Sequence, residues 1–276
     1  LLNLIDQLSV ASVEKSAIFE NGLRQRLEDQ LDKLEDLDGT SISIQGGPVA
    51  VGGDDLMLSY KNIKWINPSF DRDTSPRWSP DGKEIVYIRQ PGAAGKPSSI
   101  LGGKHNPWKI VKTNIKSMVS RELWPAPKTL RGSYPRTQGG TNLHWASNRI
   151  VFLSYHDGWQ HLYSISENGG KALLLTPGDF MCEYIKLSPD KKSIVFTANT
   201  GDDNYDIDRR HIVQVSVDKS DMKVLTNGIG LEWTPLVTGD LRHVAYISAT
   251  STRPPLPTIL DLVSNEKKIL SLELTL

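Results

Sequence analysis

Residues 76–88 read PRWSPDGKEIVYI, and residues 186–197 repeat this phrase as KLSPDKKSIVFT. In each copy an anchor residue precedes a Ser-Pro-Asp turn, and an alternating apolar run follows the turn. This order is typical of a strand, a tight turn and a second strand. Weaker copies occur at residues 143–153 and 232–247, so the phrase is present four times. The recurrence predicts a fold built from repeated β-sheets.

The anchors of the four copies are Trp78, Trp145, Leu187 and Trp233, and they lie 67, 42 and 46 residues apart. Spacings of about 40 to 50 residues are typical of a four-stranded propeller blade. The first gap is longer because it holds a Gly/Pro-rich insertion over residues 90–107. Two further strand-like segments follow each anchor. We therefore predict an all-β fold, a β-propeller with four clear blades and a doubtful fifth, in a ring that need not be complete.

The first forty residues have a different pattern. Leu23, Leu27, Leu31 and Leu34 fall on one helical face, which predicts an amphipathic helix over residues 22–37. This helix either packs on the rest of the protein or binds a partner. We expect an N-terminal helical segment over residues 1–40 and propeller blades over residues 41–276, the doubtful blade including residues 41–66. The chain ends just after the fourth blade, which favours a piece of a larger protein.

Composition narrows the functional class. The 32 basic and 32 acidic residues balance, and no basic stripe marks a nucleic-acid interface. No apolar run is long enough to cross a bilayer, and the single cysteine, Cys182, is read as a small packed hydrophobe. The six histidines lack metal-ligand spacing. We expect no metal and no cofactor. His161 and His211 lie at equivalent places in successive blades, which favours a repeated packing or hydrogen-bonding role.

The repeats resemble the propeller region of the prolyl oligopeptidase and dipeptidyl peptidase IV class of serine peptidases, and they are also similar to TolB propellers. The specific residues are 154–163, SYHDGWQHLY, followed by 175–180, LTPGDF, with 208–211 and 252–257 also similar. The resemblance covers about residues 74–270. It implies a propeller that gates and orients peptide substrates for a C-terminal α/β-hydrolase domain of the same protein. It also implies an exported or periplasmic location.

The catalytic motif of such enzymes is absent from this sequence. Their nucleophilic serine lies in a G-x-S-x-G elbow, and no such motif occurs in the 276 residues. We therefore expect no catalytic residue and no peptidase activity from this chain alone. The adjacent Glu-Glu pair by which the family holds a substrate amine is also absent, so dipeptidyl specificity is not implied.

Four arginines are the candidate substrate-binding residues. Arg209 and Arg210 either form ion pairs with Asp206 or Asp208, or present a guanidinium to a peptide carboxylate or carbonyl. Arg89 lies at the start of the long insertion, and Arg253 precedes Pro254-Pro255. Each is placed to line a shared cavity, because binding residues concentrate on loops.

Three functional hypotheses follow. The leading one is a non-catalytic propeller region of a dipeptidyl-peptidase-like serine peptidase, with peptide substrate and hydrolase domain as partners. The second is a stand-alone TolB-like module for protein-protein interaction. The third is a complete small enzyme that uses the central cavity. A homo-oligomer is compatible with all three, whereas nucleic acid and a membrane span are not expected.

Overall fold

The computed structural model of the protein describes residues 65–92, 104–135 and 143–270. The predicted helix over residues 22–37 and the domain boundary at residue 40 lie outside these ranges, as does nearly all of the doubtful blade. The four sheets lie within a compact unit that spans Asn67–Leu276. In the described part of the chain, no helix has the length and apolar character needed to cross a membrane.

Within these ranges, sixteen strands form four antiparallel sheets of four strands, and each sheet follows chain order. The first sheet contains β1 (Arg72–Trp78), β2 (Glu84–Gln90), β3 (Lys109–Asn114) and β4 (Ser120–Pro125). The second contains β5 (Leu143–Ala146), β6 (Arg149–Ser154), β7 (His161–Ser166) and β8 (Leu173–Leu174). The third contains β9 (Cys182–Leu187), β10 (Ser193–Ala198), β11 (His211–Ser216) and β12 (Lys223–Val224). The fourth contains β13 (Leu231–Val237), β14 (His243–Thr250), β15 (Arg253–Asp261) and β16 (Lys267–Ile269). The four predicted blades are confirmed.

The first three sheets bury side chains from both of their faces, whereas in β14 of the fourth sheet only alternate residues are buried. In β6, Ile150 and Phe152 join a core with the first sheet, while Val151 and Leu153 join a core with the third sheet. A separate core links the third and fourth sheets through Val195 and residues such as Val244 and Tyr246. Successive side chains of a strand point to opposite faces, so one β-strand can serve two interfaces. The sheets therefore stack face to face in chain order, as propeller blades do.

Each sheet has a turn end and a loop end. The turn end carries the tight connections between its first and second strands and between its third and fourth strands, such as residues 79–83 and 115–119. The loop end carries the connection between the second and third strands, and the chain leaves for the next sheet there. This division follows from four antiparallel strands in chain order. Strand β2 consequently ends, and β3 begins, at the loop end.

The Ser-Pro-Asp turns share one hydrogen-bond pattern. Ser188 Oγ donates to Asp190 Oδ1 at 2.6 Å, and the backbone N–H of Ser193 donates to Ser188 Oγ at 3.0 Å. Ser79 makes the corresponding bonds to Asp81 and Glu84. The serine thereby closes the turn and satisfies a buried N–H of the next strand.

The fourth sheet uses the same turn with different residues. Thr238 and Asp240 take the places of the serine and the aspartate, and Gly239 replaces the proline. Val237 pairs with Val244 at the position where Trp78 pairs with Ile85 in the first sheet. Trp233 lies four residues earlier in β13 and pairs with Ile247. Val237, and not Trp233, therefore lies next to the turn. Trp233 does not have the place in β13 that Trp78 has in β1.

Backbone conformation in these turns generates a stability prediction. Gly82 has φ +70, and no atom lies within 4 Å of the point that a Cβ would occupy; Lys191 holds the equivalent place with φ +59. A left-handed conformation is strained for residues other than glycine. We expect Gly82→Ala to lower the free energy of unfolding by about 0.5–1 kcal/mol, and Lys191→Gly to raise it by a similar amount.

Gly239→Ala is the matched control for this pair. Its surroundings are equally open, but its φ lies outside the left-handed range. An alanine there should raise the free energy of unfolding by about 0.4–1 kcal/mol, because it lowers the conformational entropy of the unfolded chain. Urea titrations of the three variants measure the effect. If Gly82→Ala and Gly239→Ala change stability with the same sign, backbone strain is not the cause.

Candidate functional site

The four candidate arginines all lie at the loop ends of their sheets. Arg89 is near the end of β2, Arg209 and Arg210 precede β11, and Arg253 begins β15. All four lie beside the connection between the second and third strands, in the first, third and fourth blades. Each side chain is held by groups of its own sheet or of the adjoining loop. That these arginines bind substrate remains a prediction.

The buried side chain of Arg89 forms an ion pair with the more exposed Asp73 across the first two strands. Its Nε and Nη2 donate to the two carboxylate oxygens of Asp73, each at 2.7 Å, and Nη2 also donates to the carbonyl oxygen of Asn67. This bidentate contact is the strongest geometry for an arginine and a carboxylate. Hydrogen bonding to Asp73 raises the pKa of Arg89. With only 6% of its surface exposed, Arg89 is oriented by Asp73 and has little surface left for a ligand.

Arg209 and Arg210 make separate ion pairs. Arg209 Nη1 donates to Asp203 and Asp206 at 3.0 Å each, whereas Arg210 Nε donates to Glu183 on β9 at 2.7 Å. Their side chains remain 18% and 29% exposed. Both guanidinium groups therefore keep donors directed away from these carboxylates and reach solvent at the loop end.

Arg253 binds one residue of the neighbouring strand. Its Nη1 donates to the carbonyl oxygen of Ser248 and its Nη2 to Ser248 Oγ, at 3.1 and 2.9 Å. Ser248 in turn shares a hydrogen bond with Thr258. No carboxylate neutralises Arg253 in the described part of the chain, so its charge is available at the mouth of the fourth blade.

The most enclosed charged group is His211, which links the third and fourth sheets. Its Nδ1 lies 3.0 Å from Glu232 Oε2 on β13, and its Nε2 lies 3.1 Å from Asp206 Oδ1 in a 3-10 turn (Asp206–Asp208). The imidazole is fully buried, and the two carboxylates are 6% and 5% exposed. Two acceptors on opposite ring nitrogens require a doubly protonated imidazolium. We call His211, Asp206 and Glu232 the clasp, a charged contact between the third and fourth blades.

The surroundings of the clasp determine its ionisation. Burial opposes the charge of His211, but hydrogen bonds to Glu232 and Asp206 outweigh it and raise the pKa of the imidazole above 6.5. Burial likewise acts against ionised Asp206, yet backbone and side-chain donors, among them His211 and Arg209, lower the pKa of its carboxyl group. Thr226 Oγ1 donates to Glu232 Oε2 and accepts the N–H of Ile212, which completes the network.

The second blade has the corresponding histidine in a different setting. His161 Nδ1 lies 2.6 Å from Asp157 Oδ2, and its buried Nε2 has no hydrogen-bond partner among the described residues. Thr176 accepts the N–H of Leu162, as Thr226 accepts that of Ile212. Cys182 occupies the place of Glu232, and burial raises the pKa of its thiol to about 12. The second blade therefore lacks the second carboxylate that would cross to the next sheet.

Glu232 is not among the site residues predicted from the sequence, and Asp206 is predicted only as a partner of Arg209 or Arg210. A signal for Glu232 exists in the spacing. His161 and Thr176 are separated by the same interval as His211 and Thr226, and the residue six positions after each threonine is Cys182 or Glu232. An aligned pair of repeats would therefore place Glu232 beside His211. For metal binding, residues 65–92, 104–135 and 143–270 contain no group of three or more His, Cys, Asp or Glu side chains suited to hold an ion.

The clasp predicts a pH dependence of stability. Because the folded-state pKa of His211 is raised above 6.5, its contribution is fully present below pH 6.5 and is lost as the pH rises through the raised pKa. We expect His211→Gln to remove this alkaline loss of stability. Urea midpoints measured between about pH 5 and pH 9 test the prediction.

His156→Gln provides a contrast of opposite sign. Burial lowers the pKa of His156, so its own contribution is lost as the pH falls below 6.5. Replacing His156 should change the acidic side of the stability profile and leave the alkaline side intact. An alkaline slope that persists in His211→Gln would show that the clasp does not titrate in this way.

Comparison with two solved structures, an oligogalacturonate lyase and a puromycin-hydrolyzing peptidase, supports the fold. The chain is similar to the oligogalacturonate lyase of Vibrio parahaemolyticus, at 10% identity and a TM-score of 0.56, over 76% of this chain and 56% of that one. It is similar to a puromycin-hydrolyzing peptidase of Mycobacterium tuberculosis, at 14% identity and a TM-score of 0.50, over 74% and 30%. For TolB of Acinetobacter baumannii the identity is 17% and the TM-score is 0.44, over 73% of this chain and 44% of that one. The chain thus spans 30% to 56% of the length of these proteins.

Sequence comparison is more specific. No curated protein sequence matches the chain. The profile of the dipeptidyl peptidase IV (DPP IV) N-terminal region matches residues 112–255, from β3 of the first blade to β15 of the fourth. The matched segment contains the Asp157–His161 pair and the whole His211 clasp, and it exceeds half of the 276 residues. The chain therefore belongs to the family of dipeptidyl peptidase IV N-terminal regions.

Proposed function

We propose that the chain is the non-catalytic propeller region of a dipeptidyl-peptidase-like serine peptidase. In this role it gates and orients peptide substrates for an α/β-hydrolase domain that these 276 residues do not contain. The observation that carries the proposal is the family match over residues 112–255 in a sequence without a G-x-S-x-G motif. A propeller of this family has no nucleophile of its own to use, so its contribution to hydrolysis is access and orientation.

The arrangement of charged groups at the loop end supports this role. Arg209, Arg210 and Arg253 retain exposed donors there, beside carboxylates such as Glu183 and Asp203. A peptide offers carbonyl oxygens and a carboxylate to donors, and an ammonium group to carboxylates. Ion pairs hold Arg209 and Arg210, and hydrogen bonds to Ser248 hold Arg253, which lowers the cost of ordering these side chains when a ligand binds.

The gene provides the first test. Translation beyond Leu276 should give a segment with a G-x-S-x-G motif, because the proposed hydrolase domain needs a serine elbow. A stop codon at that point would contradict the proposal and favour a stand-alone interaction module. The purified 276-residue chain should not hydrolyse peptide amides, and turnover that a serine-directed inhibitor abolishes would also contradict it.

Gating itself is tested on the full-length protein. We expect a short peptide to be cleaved with a far higher kcat/KM than the same sequence placed in a surface loop of a folded protein, because the propeller admits only narrow chains. The isolated loop peptide serves as the control for the sequence. Equal kcat/KM values for the two substrates would exclude a gating role.

A further inference from the structure

A pocket of about 270 Å³ lies at the loop end between the first and second blades. One wall comes from the segment after β4 and contains Leu130, Arg131, Ser133 and Tyr134. The other comes from the β6–β7 loop and contains Tyr155 and Gly158. The pocket is too large for a single ion and lies just below the volumes typical of drug-sized ligands. Its size fits one or two amino-acid residues.

The guanidinium of Arg131 has no internal partner in the described part of the chain. Other described arginines form hydrogen bonds or ion pairs with protein groups: Arg77, Arg89, Arg121, Arg149, Arg209, Arg210, Arg242 and Arg253. Arg72 is likewise unpaired, but it is exposed on β1 and does not line the pocket. Arg131 therefore combines an uncompensated charge with a concave surface.

Gly158 allows this guanidinium to lie against the β6–β7 loop. The residue has φ +117 and closes a turn in which its N–H donates to the carbonyl oxygen of Tyr155 at 2.8 Å. A Cβ at Gly158 would lie 2.9 Å from Arg131 Nη1. Any larger residue would therefore displace the guanidinium from the rim.

Two further polar side chains of the pocket can also donate hydrogen bonds. The Tyr155 hydroxyl has no hydrogen-bond partner in the described part of the chain, and burial, with a contribution from Glu183, raises its pKa. The phenol thus remains protonated and can donate. Ser133 Oγ already accepts the N–H of Asn106, which leaves its own hydrogen to donate. Leu130 and the ring of Tyr134 supply apolar walls.

We propose that this pocket is a carboxylate-binding subsite for short peptides. The guanidinium of Arg131 and the hydroxyls of Tyr155 and Ser133 belong to residues that line one pocket and can donate to a group that only accepts, and the apolar walls suit the attached side chain. The carboxylate is either the C-terminus of a peptide or an acidic side chain, since both present the same two oxygens. The inference rests on the proposed function, because it assumes that peptides reach the loop end.

Calorimetry on the 276-residue chain tests the subsite with three dipeptides. Ala-Leu carries a free C-terminal carboxylate, Ala-Leu amide carries none, and Ala-Glu amide carries a carboxylate only in its side chain. We expect a carboxylate-bearing peptide to bind about fivefold more tightly than Ala-Leu amide, the upper range for an exposed ion pair. Which of the two acids gains affinity identifies the source of the carboxylate.

The variants assign the effect to residues. Arg131→Gln should abolish the preference for a carboxylate, and Tyr155→Phe should reduce it. Arg72→Gln, which removes the other unpaired arginine, should leave it unchanged. Urea midpoints equal to that of the unaltered chain confirm that each variant is folded.

The outcomes separate this inference from the proposed function. If Ala-Leu amide binds as tightly as both acids, or if Arg131→Gln keeps the preference, the subsite is overturned while peptide binding at the loop end stands. If none of the three dipeptides binds the folded chain, both the subsite and its role in orienting peptides are overturned.

Discussion

The structure depends on the burial of apolar sheet faces. A four-stranded antiparallel sheet with apolar residues on both faces cannot exist alone in water, so such a blade requires a neighbour on either side. Strand β6 shows this most clearly, because its alternate residues contact the first and third sheets. The second strands of the first three sheets are buried over most of their length. Lys112, which lies buried within β3, is paired with Glu84, whereas Arg89 and His211 lie near strand ends.

The charged groups at the loop end follow from this constraint. Arg89 and His211 are buried near the ends of strands, where backbone and carboxylate partners can reach them. A charge in such a position must be compensated, and Asp73, Asp206 and Glu232 supply the compensation. The same pairs hold the loops in fixed positions relative to the sheets. More exposed groups, such as Arg131, remain available because nothing in the described part of the chain neutralises them.

The blades could be predicted from the sequence because their signal is local. A Ser-Pro-Asp turn between apolar runs specifies two paired strands within about a dozen residues, and four copies specify the repeat. The register of the fourth copy was less evident, since Thr238-Gly239-Asp240 forms the turn without the proline that marks the first and third copies. Thr238 keeps the hydrogen-bonding role of the serine although the residue itself differs.

The site was less predictable because its contacts join distant segments. An ion pair between Arg209 and Asp206 was among the alternatives read from the sequence, and the structure contains it. Arg210, in contrast, selects Glu183 from another strand of its sheet. The partners of His211 come from a loop and from the next blade, and the pocket at Arg131 needs two loops from two blades. No local sequence pattern encodes contacts between such distant segments.

The separation of turn end and loop end has an evolutionary consequence. The serines and aspartates that close the hairpins lie at the turn end, and the groups accessible to a ligand lie at the loop end. Substitutions at the loop end therefore alter recognition without disturbing the hairpins. Lineages that share this architecture can therefore diversify their specificity by exchanging connections such as the one that holds Gly158, while the opposite rim stays under selection for folding alone.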